Sequence, residues 1–577
     1  MFSMEEEEYK NKRLIDASVD VMTELYNKYE DDVFMTSKIH HYITNQLPVL
    51  LYTVQETREK SKQRTTEHQD EQEKFMQQFL SQCKYYYNSS NEKYFQYNGP
   101  HYSVVCEDNV LHHIVSAISQ MRNPTLMNWK HKTKVSLLKK IKDQSIMKVI
   151  PESETIQMVI QQLVPSVCAT KAEAKYLLTV LGDNILRKNT HLIHFINPTA
   201  KTFLRTLNQI CSDNFNVQCI NTFKYKYHEK QNEKDCRLIY VQPVCQSNVW
   251  NETTVNVYGL DILCVACHYS HKYDSSDDFV NDFSQDTDLQ QYVFQLKYKS
   301  PEFIVSQFVQ EYLINFRNLD SHKDKLSASP QEEYFIQNKI LGNPQERSLP
   351  WKQMQYLWKE YLDIHHYPIG LYNGLCKKNL TEVMFEQQYN ANTEVFQDVG
   401  SSQIPLIQKF LKFWDETIVE DTNEYSELEC EEIGLLFRNW LHFHQGQKKQ
   451  KYMLKEYKIM DILAYFHPEL EIANEKYVLH ARNTLWDKDM DIELALSQLR
   501  DNTSTTMSLY NAYQFYSEFH SNHTTENRMK PLLVSKSYFE NYVRFQYGIY
   551  LDGNDTFAEE WFRGGNPCSP SPPPFVR

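Results

Sequence analysis

From Met4 to about Phe79 apolar positions recur at helical spacing, and the charged run QETREKSKQRTTEHQDEQEKF follows the apolar LPVLLYTV, which predicts a long exposed helix with a spacing or packing role. KYFQYNGPHY, residues 93 to 102, alternates aromatic and polar positions around Asn98-Gly99 and predicts a hairpin. Asp108 to Ile118 predicts a helix, and helical spacing continues to about Arg187. Three short apolar runs follow: LIHFI (192 to 196), RLIYVQPV (237 to 244) and LDILCVAC (260 to 267). Runs of this length, separated by polar or helical stretches, predict buried strands of an α/β sheet. Beyond about residue 300 the spacing is almost wholly helical, as in Tyr356, Leu357, Trp358, Tyr361 and Leu362. The end, NPCSPSPPPFVR, predicts a flexible or extended tail.

Length and composition narrow this picture. A chain of 577 residues needs several cores, and 41% hydrophobic with 13% aromatic residues can fill them, which excludes a disordered chain. The net charge of -14 means that any nucleic-acid contact must come from local basic patches, because the global field repels phosphate. No run of about 18 uncharged apolar residues occurs, so no membrane contact is expected. The start MFSMEEEEYK is acidic where a secretory or mitochondrial leader is basic, so a cytosolic-type compartment is expected. The 12 cysteines are scattered, which predicts reduced thiols rather than a disulfide framework. Only 13 glycines occur, far below the usual share of roughly 7%, so loops that approach phosphate closely are scarce.

LIHFINPTAKTFLRTL (192 to 207) has the layout of a phosphate-binding loop, an apolar run, a short turn and an amphipathic run, but not its glycines. Aligned on G-x-x-x-x-G-K-[ST], Lys201 and Thr202 take the last two positions, and Phe195 and Ala200 stand where the glycines would let backbone N–H groups wrap phosphate. Ala200, Lys201 and Thr202 are the candidate vestigial nucleotide contacts.

AKYLLTVLGDNILRKNTHLIHFINPTAKTFLRTLNQI (174 to 210) resembles the entry to the ATPase core of superfamily 3 helicases, above all the primase-helicases of poxviruses and giant DNA viruses; in that family an aromatic hairpin like KYFQYNGPHY also precedes the core. The resemblance covers about residues 90 to 300 and implies a role for two further runs. RLIYVQPV resembles the Walker B strand, with Gln242 and Pro243 where an acid should hold Mg²⁺. DILCVACHYSHKYDSSDDF (261 to 279) resembles the sensor strand, with Cys267 in place of Asn beside His268, and VNDFSQDTDLQQYV lacks the arginine finger. Phosphoryl transfer depends on metal, positioning and charge neutralisation together, so this set implies a core that does not hydrolyse ATP. No cofactor is then expected. The alternative is an active ATPase, using ATP and Mg²⁺ through Lys201, Thr202 and a displaced carboxylate at Asp261 or Asp277.

Cys264-Val265-Ala266-Cys267-His268 matches a haem-attachment pattern, but its apolar setting predicts buried reduced cysteines, and the ligand spacing of a zinc site is missing, so no metal is assigned. Residues 427 to 466 and 508 to 562 resemble the helical modules that follow viral helicase cores. In the second, Ser535 is expected to cap a helix burying Tyr538, Phe539, Tyr542 and Val543, before an aromatic β-wing, YGIYLDGNDTF, as in a winged helix. Arg528, Lys530, Lys536 and Arg544 give that module a basic face, and Lys448, Lys449, Lys451, Lys455 and Lys458 give the other one, each a candidate phosphate contact.

The expected fold is α+β and mostly helical. It comprises an N-terminal helical region (1–85), a hairpin plus helical segment (86–170), a degenerate helicase-type α/β core (171–300), a helical connector (301–425), a helical module (426–500), a winged-helix-like module (501–565) and the tail (566–577). The resemblance implies a non-catalytic factor for replication or genome handling of a large DNA virus, with DNA and a viral helicase or replication protein as partners, in the host cytoplasm or the virion. A structural or virion-core protein is the remaining alternative.

Overall fold

In a computed structural model, described over residues 2–121, 124–317, 347–423, 425–445, 454–502, 505–523 and 532–563, the chain is α+β and mostly helical. It divides into two units, Met1–Tyr298 and Lys299–Arg577.

The first unit opens with helices α1 (Phe2–Lys28), α2 (Val33–His41) and α3 (Leu47–Gln82). Only the last third of α3 is packed, through Gln72, Phe75, Met76 and Phe79. Strands β1 (Lys84–Asn88), β2 (Lys93–Tyr97) and β3 (Tyr102–Val105) form an antiparallel sheet, with Tyr97 opposite Tyr102 and Gly99 at φ +96° in the expected turn. Helices α4 (Glu107–Gln120), α5 (Lys130–Lys142) and α6 (Ser153–Leu163) precede α7 (Lys171–Ile185), which starts in a capping box between Thr170 and Glu173.

A parallel sheet follows, β4 (Ile193–Ile196) lying between β5 (Phe223–Lys224) and β6 (Cys236–Ile239). Helix α8 (Lys201–Phe215) leads from β4 and buries Phe203, Leu204, Leu207, Cys211 and Phe215 at helical spacing. The β1–β2 turn closes its C-terminal end: Asn88 and Asn91 donate to the Asn214 carbonyl, and Lys93 Nζ to that of Asp213 at 2.7 Å.

The third apolar run is the departure from expectation. GLDILCVACHY belongs to helix α9 (Asn256–Tyr273), not to a strand. It is apolar on nearly all sides because it is buried among α6, α7 and α8, so its residues carry no helical stripe for a sequence pattern to reveal. Gly182 of α7 lies so close to α9 that a Cβ there would stand 2.1 Å from the Ala266 carbonyl oxygen.

The second unit is not wholly helical: short strands punctuate it, and among the described residues two consecutive groups share one element order, with a shorter third group after them. In the first, α11 (Pro301–Tyr312), β7 (Ile314–Asn315), β8 (Ser348–Pro350), α12 (Trp351–Ile364), α13 (Asn373–Lys378), β9 (Tyr389–Asn390), β10 (Val395–Gln397) and β11 (Val399–Gly400) pair as β7–β11 and β8–β10–β9. The second group repeats this with α14 (Ile404–Thr417), β12 (Ile418–Glu420), β13 (Glu427–Glu429), α15 (Cys430–Gln445), α16 (Glu456–Phe466), β14 (Ile472–Ala473), β15 (Tyr477–Leu479) and β16 (Ala481–Asn483), paired β12–β16 and β13–β15–β14. A shorter version closes the described chain: α17 (Lys488–Asn502), β17 (Met507–Ser508), α18 (Leu509–His523), α19 (Lys536–Tyr547) and β18 (Thr556–Phe557), with β17 on β18 and a bridge from Leu551 to Phe557. Helix α10 (Thr287–Val293) belongs to the first unit and buries Leu289 and Val293. Ser535 caps α19 through the Tyr538 N–H at 3.1 Å, and Tyr538, Phe539, Tyr542 and Val543 are buried, as the sequence predicts.

Buried polar links join these groups. Lys488 Nζ lies 2.6 Å from Glu432, whose carboxylate also accepts from the Ser535 N–H, tying the second group to the third. Asp461 accepts from Tyr356 at 2.9 Å, tying the first to the second.

Candidate functional site

Between β4 and α8 the chain makes only a single tight turn. Asn197 accepts from the Thr199 N–H at 3.0 Å, the Ala200 N–H returns to the Asn197 carbonyl, and Pro198–Ala200 is one turn of 3₁₀ helix. Lys201 is exposed at the start of α8 and Thr202 is half-buried beside it. First-turn N–H groups of a helix point outward with the positive end of its dipole, so this end can receive an anion. It cannot wrap one. Phe195, at the first glycine position, is a ladder residue of β4 placed between Lys224 and Leu238, and Ala200, at the second, is fully buried. The arrangement has a cation and a hydroxyl at a helix start, and no loop.

Beside it, β6 runs parallel to β4 with Ile239 opposite Ile196. Its continuation, Tyr240-Val241-Gln242-Pro243, brings no carboxylate; the Gln242 N–H instead donates to the Val167 carbonyl at 2.7 Å, and Pro243 opens a 3₁₀ turn. The sensor-strand assignment of Cys267 and His268 is overturned, since both lie inside α9. Cys264 and Cys267 are buried one turn apart on that helix, and burial raises both thiols so that they stay protonated; burial lowers His268. Cys264 and Cys267 are core residues of the helix and His268 is half-buried beside them, so none of the three stands at a strand end as a sensor residue would.

Both carboxylates of the ATPase alternative are engaged. Asp261, 1% exposed, accepts from the Tyr102 N–H and from His101 Nδ1, each at 2.8 Å, and so latches the β2–β3 hairpin onto α9. Burial raises its carboxyl, while the bonds to Tyr102 and His101 oppose that shift. Asp277 takes Arg237 Nε and Nη2 in a two-pronged pair at 2.8 and 2.6 Å, with the guanidinium 5.0 Å from the Phe294 ring centroid. Arg237 is itself buried within β6, so removing Asp277 would strand a charge in the core.

The expected basic faces fare unevenly. Arg544 is held by Asp555 at 2.8 Å and by Glu540, Lys536 lies 3.5 Å from Glu540, and Lys458 is drawn to Glu360 at 2.7 Å. These cations are partly neutralised before any phosphate arrives. Arg528, Lys530, Lys448, Lys449 and Lys451 lie outside the described residues. Among the described residues a further basic element stands out that the residues named above do not include: α5, KHKTKVSLLKKIK, carries six lysines and no acid, and Lys132, Lys139 and Lys142 are exposed on it. Its charge run was the available signal.

Among the described residues no group of three or more His, Cys, Asp or Glu side chains could hold a metal ion, and no helix is long and apolar enough to cross a membrane. No family model, curated protein or solved structure matches the chain.

Proposed function

We propose that this chain is a non-catalytic, helicase-like factor for DNA replication or genome handling in a large DNA virus, and that it acts by binding nucleic acid, a helicase partner or both. One observation carries the reading: a strand, turn and helix with Lys201 and Thr202 at the helix start stand beside a parallel strand, yet neither the turn nor the end of that strand offers what hydrolysis needs. The active-ATPase alternative is disfavoured because Asp261 and Asp277 already serve the hairpin and Arg237.

Support for the binding half comes from two places. The order of a helix, two short strands, two helices and three closing strands, repeated among the described residues of Lys299–Arg577, resembles that of a winged helix and would suit a tandem array of binding modules. That unit is strongly acidic while Met1–Tyr298 is nearly balanced, so phosphate contact falls to the lysines of α5.

Anisotropy of a labelled DNA duplex and single strand, titrated with the full chain at two salt concentrations, tests this. Salt-sensitive binding is expected. Lys132→Glu with Lys139→Glu should weaken it by about tenfold and flatten its salt dependence, whereas Lys536→Glu with Arg544→Glu should cost less. If the purified chain binds neither DNA nor a viral helicase, the reading fails.

A further inference from the structure

A groove of about 600 Å³ opens beside α7 and the last turn of α9, a volume typical of small-ligand sites. One side is aromatic. Tyr273, at the end of α9, lies 4.8 Å from Phe279 and 5.1 Å from Phe283, centroid to centroid, and stacks on Tyr269 at 5.5 Å. Tyr273 and Phe279 are buried, but Phe283 is 56% exposed. An exposed ring braced on a buried aromatic stack is a platform whose face is already ordered, so little side-chain freedom remains to be lost on binding.

Cations flank this platform. Lys175 from α7 and Lys272 from α9 line the groove, and neither forms an ion pair with a carboxylate among the described residues. Lys272 Nζ is 5.3 Å from the Tyr273 ring centroid, which sets its charge at the edge of the stack. The last stretch of wall, Ser284 to Asp286, is polar. Asp286 uses one carboxylate oxygen to cap α10 through the Leu289 N–H at 3.0 Å, and a carboxylate has further acceptor sites for an amino group. The helix end on which Lys272 sits is held in place by Lys188, which donates to the carbonyls of Ser270 and Asp274.

A flat π-face, two unpaired ammonium groups and an acceptor in one groove fit a ligand with an aromatic ring, an amino-bearing edge and an anionic group. We infer that this groove binds a base-plus-phosphate unit, the base stacked on Phe283 and the phosphate between Lys175 and Lys272. The unit can come from a free nucleotide or from a single strand of nucleic acid; the second source rests on the nucleic-acid reading above, and the first does not. This site is separate from the β4–α8 turn and needs no phosphate-binding loop.

The test uses the full chain and two probes, methylanthraniloyl-ADP and a short fluorescein-labelled single-stranded oligonucleotide, both followed by anisotropy. Binding of at least one probe is expected. Phe283→Ala should weaken it by about tenfold or more, Phe283→Tyr should retain it, and Lys175→Glu with Lys272→Glu should abolish it. Phe283 and Lys272 are exposed, and unchanged circular dichroism of the variants verifies that the fold is intact; Lys272→Gln, with a milder loss, serves where the double reversal unfolds. Tight binding of the ADP probe assigns the free nucleotide, and binding of the oligonucleotide alone assigns the strand. The inference is overturned if neither probe binds, or if binding is indifferent to Phe283→Ala and to the lysine reversals. Oligonucleotide binding that persists in those variants but falls on charge reversal in α5 overturns this site and leaves the proposed function standing.

Discussion

His194 sits on the central strand β4, 2% exposed, with Nδ1 2.9 Å from the Thr222 hydroxyl, which also accepts from Asn184 at 2.8 Å. Burial pushes its imidazole down from the ordinary 6.5 to about 3, so the folded protein keeps it neutral. Between those values the unfolded chain binds a proton that the folded chain refuses, so this residue makes stability rise with pH and fall as acid is added. The expected loss begins near pH 6.5 and grows by up to about 1.4 kcal/mol per pH unit until the folded-state value is reached. Denaturant unfolding at pH 7 and pH 5 should show a smaller difference in His194→Asn than in the parent; an equal difference would mean that His194 does not titrate in this way. Residues with local chemistry were the most legible in the sequence. Ser535 announced its cap and Asn98-Gly99 its turn, because both depend on neighbours within a few positions.

Elements were legible where an apolar run was short and its flanks polar, as in LIHFI and RLIYVQPV. LDILCVAC is also a short, mainly apolar run, yet it is the middle of α9. A helix buried on most of its surface has no polar stripe, and periodicity alone cannot separate it from a buried strand. The repeated groups of Lys299–Arg577 escaped notice for another reason: their strands are two or three residues long, too short for an alternation to register, and they pair over long sequence distances. The N-terminal helices α1, α2 and most of α3 are a different case. Leu14, Ile15, Val19, Leu50 and Leu51 are all more than half exposed, and the packed part of α3 starts only at Gln72. Apolar burial is what couples an element to the cooperative core, so deleting residues 1–64 should leave the thermal midpoint of the remaining chain within about 2 °C of the parent. A fall of ten degrees or more in calorimetry would show that this arm is part of the core after all.

At the scale of the whole molecule, the function proposed above takes the β4–turn–α8 unit as serving packing, with no described group beside it placed to cleave phosphate. Phe195 is a strand residue, Gln242 bonds to the Val167 carbonyl, Cys267 is in a helix, and Asp261 and Asp277 hold a hairpin and an arginine. The sequence disclosed the missing glycines and the missing acid. It did not disclose where the surviving acids point, because His101 and Arg237 are distant from them along the chain. The most direct measurement is Mg²⁺-dependent ATP turnover by the purified full chain, with and without single-stranded DNA, beside Lys201→Ala. The account predicts no turnover above background in either protein. Turnover by the parent that is lost in Lys201→Ala would contradict it, and would mean that a carboxylate reaches the start of α8 in a working ATPase.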